Sequence, residues 1–410
     1  MGKKVKIGLM LGNEISMPDA FEGLLNHLNL KLDVDGEEFE FDSERVTVEP
    51  FSIRKERIYD VVIDRVSHWH ITPREWLKKI SFDGTYLLND PFTFQSMEKH
   101  TGFSAMATLG LKIPETWLLP QKDQSKLLKE ALELYSKMFD LDGIAEGIGY
   151  PLYMKPYDGG GWVGVSKVNN KEDLHKSYNE SGTNSMHIQK AIDFDKFVRA
   201  LCIGPQVLPM KYNPENPLHL RYELEENFLT EKEYNESLKI AKIINAFFGW
   251  EYNSCETLIK DDVIHPIDFS NAVPDSSIMS LHFNFPWIIK AMVKWSIFCG
   301  ATGREFRWDK QTKKYLDIAK MDISYDEKLD KYEALADKFF ETKKFNRFCK
   351  KYLPDFDKQA YEYFVSPEFF EVLKKEIMKK FPEHEHEEFI EHYRKLHEQW
   401  TDSEKSRLKL

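Results

Sequence analysis

Cysteine is scarce: Cys202, Cys255, Cys299 and Cys349 are the only four in 410 residues, and no two form a C-x-x-C pair. That spacing excludes a zinc ribbon and a thioredoxin-type redox site, so each is expected as a small core residue in a reducing compartment. No apolar run approaches the roughly 20 residues that a membrane-crossing helix needs. The run from Val5 to Leu11 is short for a signal sequence and no small-residue cleavage site follows it. A cytoplasmic location and no membrane partner are therefore expected. Long basic runs are missing, and the formal net charge is −11. Duplex binding depends on Lys and Arg neutralising phosphates, so nucleic acid is not an expected partner. No G-x-S-x-G or G-K-[ST] motif occurs, which removes the nucleophile-elbow hydrolases and the Walker A ATPases. Glycine disappears after Gly303.

What is there belongs to a folded protein: 42% hydrophobic residues, and 30% charged residues of both signs. The length is enough for two or three domains. Strand-like and helix-like segments alternate in the first third, which predicts an α/β unit over residues 1–90. Its strands are Lys6–Met10, Tyr59–Asp64 and Thr85–Leu88. Its helices are Ala20–Leu28 and Pro73–Ile80, the latter with Thr72 as N-cap. Asn89-Asp90-Pro91 marks a boundary. Helices at 92–100 and 104–109, a strand at 117–119 and a helix at 126–138 follow.

The middle of the chain reads as β-rich: strands at 152–155, 163–168, 187–191, 197–203 and 206–212, with a helix at 171–178. Residues 231–248 carry apolar side chains at helical spacing, and 286–298 form an apolar helix. Strands at 253–259 and 263–269 flank the turn Lys260-Asp261-Asp262. From 306 to 410, Lys, Glu, Asp and aromatics dominate, which predicts a helical extension with its last ten residues frayed. The fold class is α+β, with an α/β N-terminal domain.

The strongest local signal is Lys155-Pro156-Tyr157-Asp158-Gly159-Gly160-Gly161, set between two strands. Glycines let backbone amides approach phosphate oxygens, and a lysine at the strand end adds a point charge. A plain hairpin turn with a surface lysine is the competing reading. Around this loop stand Glu98-Lys99, then Gln189-Lys190-Ala191-Ile192, Asp195, Arg199, Lys211, Glu256 and Asp268-Phe269-Ser270-Asn271.

In the order and spacing of these elements, residues 60–300 resemble the ATP-grasp superfamily, which includes glutathione synthetase, D-alanine–D-alanine ligase and the ribosomal-protein glutamate ligases. The resemblance implies two α+β subdomains clamping ATP, here over 91–185 and 186–305, followed by the helical extension at 306–410. It implies a Mg²⁺- and ATP-dependent, ADP-forming ligase that joins a small-molecule or peptide carboxylate to an amine or thiol through an acyl phosphate. A kinase on the same fold and a non-catalytic ATP-binding scaffold are the alternatives.

By the same resemblance, Lys99 and Lys155 contact phosphates, and Gly159, Gly160 and Gly161 form the phosphate loop. Gln189, Lys190, Ala191 and Ile192 form the adenine hinge, Asp195 holds the ribose, and Lys211 meets the γ-phosphate. Glu256, Asp268 and Asn271 are the expected ligands of one or two Mg²⁺ ions, for which Mn²⁺ can substitute. Carboxylates on adjacent strands suit a hard cation that also uses substrate phosphates. The family pattern is acid-x-Asn, whereas this chain has Asp268-x-x-Asn271. In a regular strand those two side chains fall on opposite faces unless a bulge intervenes. A solvated hairpin face is the other reading of the acids.

Arg65, Arg199 and Arg221 are candidates for holding the acid or its acyl phosphate, since a guanidinium fork matches a carboxylate; surface ion pairs are the alternative. His68 and His70 flank Trp69 and are expected to pack rather than bind metal. A homodimer is a further expectation, and the helical extension is open to dimerising, capping the site or holding a partner.

Overall fold

The computed structural model describes residues 2–93, 98–123, 139–159, 163–225, 227–271 and 274–410. Its first sheet contains β1 (Lys3–Met10), β2 (Lys31–Val34), β3 (Glu37–Arg45), β4 (Val61–Asp64) and β5 (Tyr86–Leu88), in the order β2-β3-β1-β4-β5. β1 runs parallel to β3 and β4, β4 runs parallel to β5, and β2 is antiparallel to β3. The central strands are apolar on both faces because helices cover both. The helix α1 (Ser16–Leu28) places Phe21 and Leu24 against Val5, Ile7 and Ile63. The helix α2 (Ile71–Phe82) places Leu77 and Ile80 against Val62 and Leu87 on the opposite face.

The second sheet is small and antiparallel. It contains β6 (Thr116–Leu119), β7 (Leu152–Pro156), β8 (Ser166–Val168) and β9 (Met186–Lys190), ordered β6-β9-β7-β8. Before it lies α3 (Lys99–Thr108), and α4 (Leu141–Ile148) and α5 (Lys171–Glu180) complete its core through Ala145, Leu174 and Tyr178. The third sheet contains β10 (Lys196–Ile203), β11 (Gln206–Tyr212), β12 (Tyr222–Glu223), β13 (Tyr252–Lys260) and β14 (Val263–Asn271), ordered β12-β11-β10-β13-β14.

Alternation along β10 sets what each face of the third sheet touches. Val198, Ala200 and Cys202 face α6 (Glu231–Phe248), which starts at a capping box made by Thr230 and Glu233. Phe197, Leu201 and Ile203 point the other way, into a core shared with the first sheet. After α7 (Ile278–Leu281), the apolar helix α8 (Phe285–Ala301) runs between the two sheets. Gly300 sits where α8 crosses β1, with no room for a Cβ beside Val5.

The last quarter is helical: α9 (Thr312–Ala319), α10 (Tyr325–Phe340), α11 (Thr342–Tyr352), α12 (Phe356–Phe364), α13 (Pro367–Lys380) and α14 (His386–Leu408). It is built into the body rather than appended. Tyr363, Phe369, Leu373 and Ile377 share one core with α1 and α8. Tyr315 and Tyr332 pack with α6. Arg304 is buried where its guanidinium meets Glu341 (2.5 Å), the Phe339 carbonyl (2.7 Å) and the Tyr86 hydroxyl (2.6 Å).

Several expectations shift. The hairpin of β2 and β3 and the helix α4 were not anticipated. The helix expected at 104–109 starts earlier, at Lys99, as α3; residues 94–97 of the helix expected at 92–100 lie outside the described residues, as does the helix expected at 126–138. α2 begins at Ile71, so Thr72 sits inside its first turn rather than capping it. Val163 and Gly164 belong to a turn, and β8 starts only at Ser166. The second sheet keeps β9, which pairs with both β6 and β7, so the boundary placed at 185/186 moves past Lys190. The C-terminus is not frayed over its last ten residues, because α14 runs to Leu408 and buried Glu404 pairs with Lys290 of α8. Tyr59 and Thr85 lie just outside the strands expected to contain them.

Candidate active site

The hairpin of β13 and β14 is where the site is built, and its register is the key. From the turn inward the pairing is regular: Lys260 with Val263, Leu258 with His265, and Thr257 with Pro266. Continued unbroken, it would put Asp268 opposite Cys255, on the face packed against α6. Two irregularities intervene, and Asp268 pairs with Glu256 and Asn271 with Ser254. Each adds one residue to β14, and a one-residue slip turns side chains to the other face. Asp268 and Asn271 therefore share the face of Glu256, despite the x-x spacing between them. Asn271 donates to the Ser254 hydroxyl (2.8 Å), and its amide donates to Asn253 Oδ1 (2.8 Å). Buried Asn253 also bonds the Phe269 carbonyl and Asn245 of α6, which pins the second bulge.

The neighbouring strand supplies a cation to the same face. Arg199 is paired in register with Glu256 and approaches it to 3.5 Å. It interrupts the apolar series Phe197, Leu201, Ile203, and its guanidinium lies over the Tyr212 ring at 5.0 Å. Burial raises the Glu256 carboxyl pKa; Arg199 opposes that shift and Asp268 adds to it.

The second sheet faces these groups with two lysines. Lys155, at the end of β7, is 8% exposed. Its ammonium donates to Gln189 Oε1 (2.8 Å) and crosses the cleft to the carbonyl of Ile267 (3.0 Å), the residue at the first bulge. Phe103 of α3 lies beneath it at 4.9 Å. Burial lowers the Lys155 pKa to about 8; Asp268 and Glu256 oppose this and Lys99 reinforces it. Lys99, at the start of α3, is 7% exposed, donates to the Gly159 carbonyl (2.5 Å) and lies 3.6 Å from Asp268. Its backbone amide donates to Tyr157, so the helix start and the glycine loop are tied together. Gly159 has φ +86°, which favours glycine there. Gly160 and Gly161 lie outside the described residues.

The remaining candidates separate. The Gln189 side chain does more than a hinge residue was expected to do, bridging Lys155 and the Thr116 hydroxyl (2.7 Å). Lys190 and Ala191 commit their amides to the carbonyls of Glu115 and Pro151, and Lys190 Nζ donates to Gly149. Ile192 follows at the strand exit, partly buried against the central core. Asp195 accepts from Lys260 (3.1 Å) and from the Asp261 amide (3.0 Å) at the tip of the hairpin.

Lys211 departs furthest from expectation. It pairs in register with Val198 and Glu223, so it lies on the face opposite Arg199, and it binds Glu223 (3.0 Å) and Glu225. Arg221 is held locally, its Nε donating to the Asn216 carbonyl (3.0 Å). Arg65 reaches from the end of β4 to Glu14 (2.7 Å) and to the Pro274 carbonyl (2.9 Å). The charge of Asp275 acts on both Arg65 and Arg199. His68 is held neutral, its pKa lowered to about 4 by burial and by Arg74 and Lys99.

Sequence reasoning missed Phe103, Tyr212, Ser254, Asn253 and the Ile267 carbonyl. The first four look like ordinary core or strand residues in one dimension, and a carbonyl has no sequence signal. Among the described residues no three His, Cys, Asp or Glu side chains converge as a metal site. Among them, too, no helix is long and apolar enough to cross a membrane. All four cysteines are free, three of them buried.

No protein-family model and no curated protein matches this chain. Among solved structures it is similar to a RimK-domain ATP-grasp protein from Sphaerobacter thermophilus, at 12% identity and TM-score 0.47, over 72% of this chain and 100% of that one. It is similar to D-alanine–D-alanine ligase from Bacillus anthracis complexed with ATP, at 14% identity and TM-score 0.46, over 73% and 97%. It is also similar to biotin carboxylase from Campylobacter jejuni, at 15% identity and TM-score 0.47, over 75% and 73%. Likeness at this level leaves the chemistry of the site to its own residues.

Proposed function

We propose that this chain is an ATP-grasp-type, ADP-forming ligase that uses ATP and Mg²⁺ to join a carboxylic acid to an amine or thiol. The observation that carries the reading is the meeting of two buried amines, Lys99 and Lys155, with Glu256, Asp268 and Asn271 across one cleft. Two ammonium groups side by side in a buried pocket repel each other, and a polyphosphate relieves that repulsion. Two carboxylates and an amide on one face of the β13–β14 hairpin fit Mg²⁺, which takes few protein ligands and completes its shell with phosphates and water. When bound, the ion supplies charge neutralisation at the phosphates.

The protein's own residues then position and neutralise. Lys99 and Lys155 hold the phosphate chain, with the Gly159 backbone beside it. The hinge at 189–192 is the candidate for the base, and Asp195 for the ribose. The acid's carboxylate oxygen attacks the γ-phosphorus and ADP leaves. The amine nitrogen then attacks the acyl carbon, losing a proton as phosphate departs. Arg199 is the candidate for meeting the charge that develops on the acid, and Arg65 for holding the acid's far side. Lys211, on the opposite face, has no part in this scheme.

Calorimetry with ATP and Mg²⁺ tests the first half of this reading, and ADP release across a panel of acids and amines tests the second. ADP release that requires both an acid and an amine supports the ligase. ADP release with a phosphorylated acceptor and no need for an amine would make it a kinase. ATP bound with no release across the panel would make it a scaffold.

A further inference from the structure

Two segments of chain are clipped to each other at two points, one of them Arg65, the residue proposed above to hold the acid. The first segment, residues 12–16, follows β1 and carries Glu14. The second, residues 274–278, follows β14 and carries Asp275. At one clip Arg65 joins them, bonding Glu14 (2.7 Å) and the Pro274 carbonyl (2.9 Å). At the other clip the joining residue comes from the C-terminal helices. Glu376 of α13 accepts from the Ser16 amide (3.2 Å) and from the Ser277 hydroxyl (3.4 Å), while Ser16 Oγ accepts from the Ile278 amide (3.2 Å). Tyr393 of α14 adds a bond to the Met279 carbonyl (2.6 Å).

Glu376 is 1% exposed. A carboxyl buried this deeply is costly unless its oxygens are satisfied, and here the two oxygens divide between the two segments. Removing it leaves the Ser16 amide and the Ser277 hydroxyl without that acceptor, and the ring of contacts opens at one end.

We propose that the C-terminal helical unit is part of the acid-binding site, with Glu376 as a positioning residue that holds segments 12–16 and 274–278 together. This rests on the ligase reading for what occupies the site, though not for the brace itself. Glu376 does not touch the phosphate site: Lys99, Lys155 and the bulged hairpin are held by other contacts. Its loss therefore alters recognition of the acid and leaves ATP binding alone.

Two full-length variants, Glu376→Ala and Glu376→Gln, test this with two readouts. In acid-dependent ADP release, Glu376→Ala is expected to raise KM for the acid about tenfold or more, with kcat and the ATP Kd little changed. Glu376→Gln keeps an acceptor oxygen and is expected to restore most of the loss. In hydrogen exchange, Glu376→Ala is expected to speed exchange of amides in 12–16 and 274–278 while leaving α3 and β7 as in the wild type. If Glu376→Ala does not fold, Ser277→Ala, which removes one arm of the brace, carries the comparison: exchange faster than wild type in those two segments alone supports the brace, and wild-type exchange overturns it. Unchanged exchange in a folded Glu376→Ala, or loss of ATP binding in step with loss of acid binding, overturns the proposal. Wild-type protein that releases no ADP with any acid would overturn the ligase reading instead, and the exchange result would still decide the brace.

Discussion

Glu256 and Asp268 face each other across β13 and β14 because β14 carries one residue more than its partner between Pro266 and Asp268. The bulge turns Asp268 out of the α6-facing layer and presents the Ile267 carbonyl to Lys155 in the opposing sheet. One backbone irregularity thus forms the acidic pair and ties it to the second sheet.

Loss of either acid is expected to remove turnover with little damage to the fold. Glu256→Gln and Asp268→Asn keep shape and bury no new charge. Each should lower acid-dependent ADP release by about 10²–10³-fold, the range for deleting one electrostatic group from a preorganised site. Circular dichroism melts should stay near wild type. Turnover within about threefold of wild type for both variants would remove the metal-site assignment.

Affinity for ATP is expected to weaken as pH rises through 8. Lys155 has a pKa of about 8 in the free protein, lowered chiefly by burial, and a bound polyphosphate raises it again. Below pH 8 the amine is already charged and binding takes up no proton there. Above pH 8 binding takes up a proton, so affinity falls with pH, and the dependence disappears in Lys155→Met. For stability the sign is opposite. The unfolded lysine titrates near 10.5, so between about 8 and 10.5 the unfolded chain binds more protons and the free protein gains stability with rising pH. Titration calorimetry in buffers of different ionisation heat, from pH 7 to 9.5, reads the proton uptake directly; no uptake at pH 9 would contradict it.

Lys99→Ala and Lys211→Ala are expected to differ sharply. Lys99 is buried beside Asp268 and the glycine loop, whereas Lys211 sits in an exposed pairing with Glu223 and Glu225 on the other face. Removing Lys211 should cost at most about 1 kcal/mol in stability and leave the ATP Kd within about twofold. Removing Lys99 should weaken ATP by about tenfold or more. Equal losses would mean that Lys211 reaches the phosphates after all.

Gly23→Ala tests the seating of the helical unit on the first sheet. A Cβ at Gly23 of α1 would collide with the Tyr363 hydroxyl of α12. Overpacking of this kind costs about 1–3 kcal/mol, so the melting temperature should fall. The ATP Kd should not change, because α3, β7 and β14 lie elsewhere. A melting temperature equal to wild type would show that α12 yields freely.

Most of the strands and long helices were legible because their periodicity is strong. The bounds 206–212 and 231–248 needed no change, since one is a regular strand and the other has a capping box at its start and Gly249 at its end. That Glu256 and Asp268 lie close was also legible from the short turn between their strands, but their direct pairing was not, because the bulge sets it. Asn271 was not placed, because a bulge depends on tertiary anchors such as Asn253 and Asn245 that carry no local signal. Lys211 was misplaced for a related reason: its type and order suit a phosphate ligand, but one step along β11 sets which face it occupies. The helical unit could be read as helical, but not as part of the main core, because amphipathic spacing does not say what a helix packs against.

Asn89 joins the first sheet to the third more firmly than any linker would. Its side chain accepts from the amides of Glu251 and Tyr252 (both 2.9 Å) and donates to the Tyr252 carbonyl (2.8 Å), all in a buried position. These two sheets and the helices wrapped round them consequently share one continuous core. The four-stranded second sheet meets them across the cleft through Lys155 and the Ile267 carbonyl, with residues 109–116 leading into it and 190–196 leading out.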